Sequence, residues 1–161
     1  MLSQEISIHK NKGRYLRELP TNYCVVDIET TGLCHLKNEI IELSALKIDN
    51  NKVIGRYSSL IKPSTEIKWF ITNLTGITNE MVSKERNIEI VLKEFCEFVG
   101  NSVVVGHNVS FDLRFIEANC KKYLNKPFVN DYCDTLKIAR RLLPELTSYK
   151  LENLAKYFGI S

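Results

Sequence analysis

The sequence predicts an α/β layer fold with a mixed sheet, and three patterns carry that expectation. An apolar run at 23–28 reads as a strand with both faces covered, ending in two acids. Two further strand-like runs, 39–48 and 52–61, are separated by Asp49-Asn50-Asn51, a strong turn signal, and should form a hairpin. Helical and strand periods then alternate to the end of the sequence, as in a layered sheet with helices on it.

Taken in order, residues 1–19 are polar and irregular, a tail or loosely attached hairpin, and the domain proper spans 20–161. The run 23–28 is the most apolar strand and should be central. Lys62-Pro63-Ser64 ends the hairpin, and Leu74-Thr75-Gly76-Ile77-Thr78 forms a short helix or turn. Ile88, Val91, Leu92, Phe95, Cys96 and Val99 recur at three- and four-residue intervals, a helix with one buried face that Gly100 can stop. Val103-Val104-Val105 is a short buried strand closed by Gly106. Ser110 can cap the next helix, which carries Phe111, Phe115, Ile116 and Ala118. Pro127-Phe128-Val129 offers a short fifth strand. Asp134 can cap a helix with Leu136, Ile138, Ala139 and Leu142, closed by Pro144. A last amphipathic helix, with Leu151, Leu154, Ala155 and Phe158, stops at Gly159.

Composition sets the class. With 161 residues, 44% hydrophobic and 25% charged, the chain can build one substantial core. It has no apolar stretch long enough to cross a bilayer, and its start lacks the basic and hydrophobic regions of a signal peptide. Cytoplasmic residence is the expectation. Cys24, Cys34, Cys96, Cys120 and Cys133 are odd in number and widely spaced, which suits a reducing compartment and no zinc site. The net charge is only +3. Lys10, Lys12, Arg14 and Arg17 nevertheless form a basic lead-in, and Lys121, Lys122, Lys126, Lys137, Arg140 and Arg141 cluster later. These are either solvated faces or cations that hold phosphates beside an acidic centre.

That acidic centre comes from two distant segments. Asp27 and Glu29 are two apart on a strand, so both emerge on one face at its carboxyl end. Gly32 allows a tight turn there and brings the Thr30-Thr31 backbone near a ligand. Acids so close repel unless a cation compensates. Asp112, expected at the second position of its helix, follows a strand parallel or adjacent to the acidic one and can reach the same pocket. An Asp there also serves a purely structural purpose, by favourable interaction with the helix dipole. Together the three acids suit two Mg²⁺ or Mn²⁺ ions and phosphodiester hydrolysis.

These segments resemble the DnaQ-like 3′–5′ exonucleases of the DEDD class, DEDDh type. The likeness is closest to the proofreading exonuclease domain of PolC-type bacterial DNA polymerase III. Asp27-Ile28-Glu29-Thr30-Thr31-Gly32-Leu33 resembles the family's first motif, and His107-Asn108-Val109-Ser110-Phe111-Asp112 its second. Asp134-Thr135-Leu136 and the segment from Tyr149 to Ala155 resemble the approach to the third. The resemblance covers about residues 20–160 and implies a ribonuclease H-like fold, a mixed five-stranded sheet flanked by helices. It implies that Asp27, Glu29 and Asp112 bind metal and act in catalysis. It also implies that Thr30, Thr31, Gly32 and Leu33 cradle the terminal nucleotide, with Leu33 near its base. Asn108 and Phe111 would shape the same pocket, although core packing accounts equally for Phe111. His107 is expected to orient Asn108 or the loop, and Glu42 is either a second acid near the site or an exposed strand residue.

The implied partners are single strands or frayed 3′ ends of DNA, with RNA as the alternative polymer, and a DNA polymerase. The family's third motif supplies a general-base His and, five residues later, a fourth metal-binding Asp. Neither occurs here, and Asn153, four residues after Tyr149, cannot replace the charge of an Asp. A fragment of a longer protein, a degenerate protein and a partner-supplied helix all account for this; the first is favoured. Activity of this sequence by itself is then expected to be weak or nil. The uncovered apolar surface would invite self-association. The competing readings are a catalytically inert domain that binds nucleic acid or a polymerase, and an unrelated phosphatase or metal hydrolase.

Overall fold

The computed structural model describes residues 13–160. Its centre is a six-stranded sheet in the order β1-β6-β5-β2-β3-β4. The strands are β1 (Tyr15–Leu16), β2 (Asn22–Thr30), β3 (Ile40–Asp49), β4 (Lys52–Leu60), β5 (Val103–Gly106) and β6 (Tyr132–Asp134). Strands β2, β3 and β4 are antiparallel neighbours, whereas β5, β6 and β1 run parallel to β2 on its other side. The mixed sheet and the central place of β2 are as the sequence predicts.

The hairpin forms because Asn50 and Asn51 both adopt left-handed backbone, with φ of 46° and 62°. That geometry matches the twist of two-residue hairpin turns, and Asn tolerates it better than most residues. Cys24, Val26, Ile28 and Thr30 point to one face of β2 and are buried there. Onto the same face pack Val91, Leu92, Phe95 and Val99 of α3 (Ile88–Val99), with Leu113, Phe115 and Ile116 of α4 (Ser110–Asn119). Gly100 ends α3 at a positive φ of 57°.

Two short helices, α1 (Trp69–Thr75) and α2 (Asn79–Val82), make a second cluster in which Ile67, Ile71, Ile77 and Val82 cover Ile41. The segment 74–78 is their junction: Gly76, φ 77°, ends α1, and the Thr78 side chain caps α2 by accepting from the Met81 amide. Helix α5 (Thr135–Leu142) and helix α6 (Leu151–Tyr157) complete the fold. No helix among the described residues is long and apolar enough to cross a membrane.

Three local expectations need correction. The sixth strand, β1, lies inside the lead-in that reads as irregular: Tyr15 and Leu16 pair with Tyr132 and Cys133, and Arg14 anchors the edge through its amide to Asp131 at 2.7 Å. Lys10 and Lys12 of that basic lead-in lie outside the described residues. Pro127-Phe128-Val129 is not a strand; the last parallel strand is Tyr132–Asp134, where backbone N–H groups are free to pair and proline is absent. Ser110 does not cap α4. Val109 occupies the cap position without a side-chain bond, Ser110 is the first helical residue, and Asp112 is therefore the third.

Candidate active site

The parallel strand β5 accompanies β2 only along Tyr23, Cys24 and Val25. Beyond Val25 that edge of β2 has no strand beside it, and the Ile28 amide donates instead to the Asp112 carboxylate, at 3.2 Å. The contact joins the two sequence motifs. Asp112 is buried, 6% exposed, at the start of α4, while Asp27 and Glu29 point to the sheet face opposite α3 and α4. Glu42 stands directly across from Glu29 on β3 and accepts from the Ser58 hydroxyl at 3.0 Å.

The electrostatics follow from this crowding. Burial, then Glu42, raises the Asp27 carboxyl above the ordinary range, and the Ile28 amide partly offsets the rise. Burial, then Asp27 and Glu42, raises Glu29. Asp112 is pushed up to about 7, mainly by burial and further by Asp27 and Asp134, against the lowering effect of backbone amides that include Ile28. The acids are thus mutually felt, and each holds its proton more tightly than in water. Among the described residues no three carboxylate, imidazole or thiol groups are gathered as a ready-made metal cage.

The loop after β2 is fixed by its own side chains. Thr30 Oγ1 donates to the Gly32 carbonyl at 2.7 Å, and Thr31 Oγ1 accepts from the Glu39 amide at 2.9 Å. A Cβ on Gly32 would lie 2.7 Å from the Asn38 side chain, which accepts from the Cys34 amide. Leu33 stands out at 85% exposure. The Thr30 hydroxyl proton and a lone pair of Thr31 are therefore committed to shaping the turn, which offers backbone, Leu33 and the Thr31 hydroxyl proton.

The second motif is held from below. Asn108 has left-handed backbone, φ 61°, with its amide donating to Asp134 at 3.0 Å; the same Asp134 oxygen accepts from Leu136 and caps α5. The sequence marks Asp134 as a helix cap and holds no local sign of its grip on Asn108. His107 has both ring nitrogens engaged: Nε2 with the Tyr149 carbonyl at 2.8 Å and Nδ1 with Thr135 Oγ1 at 3.1 Å. A carbonyl only accepts, so Nε2 carries a proton. Phe111 packs its ring 5.0 Å from that of Phe115 and is half-buried against the core. The Asn108 side chain is exposed.

A family model for exonucleases matches residues 24–161, and the chain belongs to that family. It is 42% identical over 148 residues to the PolC-type DNA polymerase III of Caldanaerobacter subterraneus subsp. tengcongensis, covering 92% of this chain and 10% of the relative. It is 41% identical over 141 residues to the DNA polymerase III subunit epsilon of Aquifex aeolicus, covering 88% of this chain and 70% of that one. The chain thus spans about a tenth of the PolC-type polymerases it matches. Among solved structures it is similar to exonuclease X in complex with 5′ overhanging duplex DNA, with a TM-score of 0.70 and 27% identity over 86% of this chain and 74% of that one. Exonuclease I of E. coli in complex with a dT13 oligonucleotide shares the fold, with a TM-score of 0.77 at 22% identity, over 88% and 36% of the two chains.

Proposed function

We propose that the chain is the exonuclease domain of a 3′–5′ exonuclease that hydrolyses phosphodiesters at DNA ends to nucleoside monophosphates, using two Mg²⁺ or Mn²⁺ ions. The observation that carries this reading is the Ile28 to Asp112 hydrogen bond, which brings an acid from α4 to the strand that bears Asp27 and Glu29. The donor set fits hard divalent ions: every candidate group is a carboxylate oxygen, and the raised pKa values mark negative charge in want of a cation. When bound, such ions supply Lewis-acid stabilisation of the phosphodiester and an acidified water.

The chain's own residues do the rest. Asp27, Glu29 and Asp112 present the oxygens. The Ile28 amide fixes the direction of Asp112, and the turn at 30–33 forms a wall on which a terminal nucleotide can rest, with Leu33 against its base. Asn108 and Phe111 border the same space. His107 holds the loop to Thr135 and Tyr149 and is not the group that moves protons. Similarity to PolC-type and epsilon polypeptides supports a polymerase setting, hence a cytoplasmic one. The DNA-bound exonuclease X supports DNA ends as substrate.

The test uses single-stranded DNA labelled at either end, given to this chain and to the longest natural polypeptide that contains it. A 3′ label released first as mononucleotide, with loss of cleavage in EDTA, is the expected result. Release from the 5′ end, or preference for small phosphate esters, contradicts the reading. Tight DNA binding without cleavage by either polypeptide would favour a binding domain; the commitment of both His107 nitrogens is the observation on that side.

A further inference from the structure

We propose that Trp69 and Phe70 form a stacking platform for the unpaired bases of a strand whose end lies at the Asp27, Glu29 and Asp112 carboxylates. The inference rests on the nuclease reading above and extends it to the substrate upstream of the cleaved bond.

The face on which α1 sits follows from the sheet. Leu43 and Ile40 both belong to the core under α3 and α4, yet strict alternation would place Ile41, not Ile40, with Leu43. The pairing slips there: Glu29 faces Glu42 but Thr30 faces Ile40, so Ile41 is the extra residue of a bulge. Ile41 is turned to the other side, where Ile67, Ile71, Ile77 and Val82 bury it. Leu60 packs on that cluster and is the cross-strand partner of Glu42, which is itself the partner of Glu29. Helix α1 therefore packs on the carboxylate side of the sheet. Two strand spacings, about 10 Å, separate Glu29 from Leu60 beneath it. At about 3.4 Å per stacked nucleotide, that distance is about three nucleotides.

Helix α1 buries only Ile71. Trp69 is 74% exposed and Phe70 47%, and Leu74 beside them is 81% exposed. Large aromatic side chains grouped on the surface mark a contact site rather than unused core. The two rings meet edge to face, with centroids 6.3 Å apart and planes at 88°, so they do not stack on each other. Planar bases fit this chemistry, because base–aromatic stacking is favourable for every base and needs no sequence readout. The placement of α1 on the same side of the sheet as Glu29 selects bases over a protein partner, and exposed Lys68 is next in sequence to meet a phosphate.

Trp69 is the chain's one tryptophan, so its emission reports the platform without a label. A short thymidine oligomer is titrated in EDTA at low salt, with binding followed separately by anisotropy of a dye on the oligomer. Quenching of Trp69 with the same midpoint as the anisotropy is expected. An oligomer of equal charge with abasic sugars in place of its internal bases should bind more weakly and leave the emission unchanged. Trp69→Ala and Phe70→Ala should each weaken the thymidine oligomer about tenfold and leave the abasic one unaffected. Trp69→Phe should retain most of the binding. Circular dichroism confirms that each variant is folded. Binding with unchanged Trp69 emission, or equal weakening of both oligomers, overturns the platform alone. Absence of any oligomer binding overturns the platform, whereas the nuclease reading stands or falls on release of the 3′ label.

Discussion

The Asp112 carboxylate accepts the Ile28 amide at 3.2 Å across 84 positions of sequence, and this bond ties Asp112 to the strand residue that lies between Asp27 and Glu29. It exists because β5 stops accompanying β2 after Val25, leaving an N–H that a side chain can take. A buried amide and a buried carboxylate satisfy each other, but the carboxylate gains no cation among the described residues that could offset the neighbouring Asp27. Burial and the neighbouring Asp27 therefore raise the affinity of Asp112 for a proton.

A pH signature follows. The folded-state pKa of Asp112, about 7, lies above its ordinary 3.8, so the folded state binds its proton more tightly than the unfolded chain does. Its contribution is complete below about pH 4 and is lost as pH rises to about 7. In EDTA the stability advantage of Asp112→Asn over wild type should accordingly grow across that window by about 2–4 kcal/mol. Denaturant titrations at several pH values check it; an advantage that shrinks as pH rises would contradict the burial argument.

Asp134 should be a structural keystone. It is 1% exposed and accepts from the amides of Asn108 and Leu136. Asp134→Ala leaves both without that acceptor and should cost about 2–4 kcal/mol, read by chemical denaturation. It should also weaken divalent-ion binding at Asp112, since Asn108 is held four residues before it. Asp134→Asn keeps an acceptor oxygen and should fall between the two.

Gly106→Ala should be unusually costly for so small a change. The added Cβ would lie 2.8 Å from Val109 Cγ2 and 3.1 Å from the Val26 carbonyl, at the end of β5 beside β2. Overpacking of this kind costs about 1–3 kcal/mol, and here it also pushes the second motif away from β2. A melting temperature unchanged from wild type would show that the strands have slack the structure does not suggest.

Much of this was readable from the sequence, for physical reasons that differ by element. The hairpin is local: two asparagines able to adopt left-handed backbone force it. Helix α3 is local as well, since its period and Gly100 define a face and an end. Asp27 and Glu29 share a face because strand alternation requires it. What escaped was tertiary. Tyr15 and Leu16 are a strand only because β6 offers an open edge, and proline at 127 moved the final strand downstream. Asp134 looks like an ordinary helix cap; its second bond depends on the backbone of Asn108, which no local pattern announces. The bulge at Ile41 was equally hidden, and it decides which side of the sheet α1 covers.

Binding of Mn²⁺ to the full natural polypeptide, measured by electron paramagnetic resonance at pH 8, most directly tests whether Asp27 and Asp112 act as one site. Asp27→Asn and Asp112→Asn should each weaken uptake by at least about tenfold while the folded signature in circular dichroism is kept. Uptake equal to wild type in both variants would contradict the account.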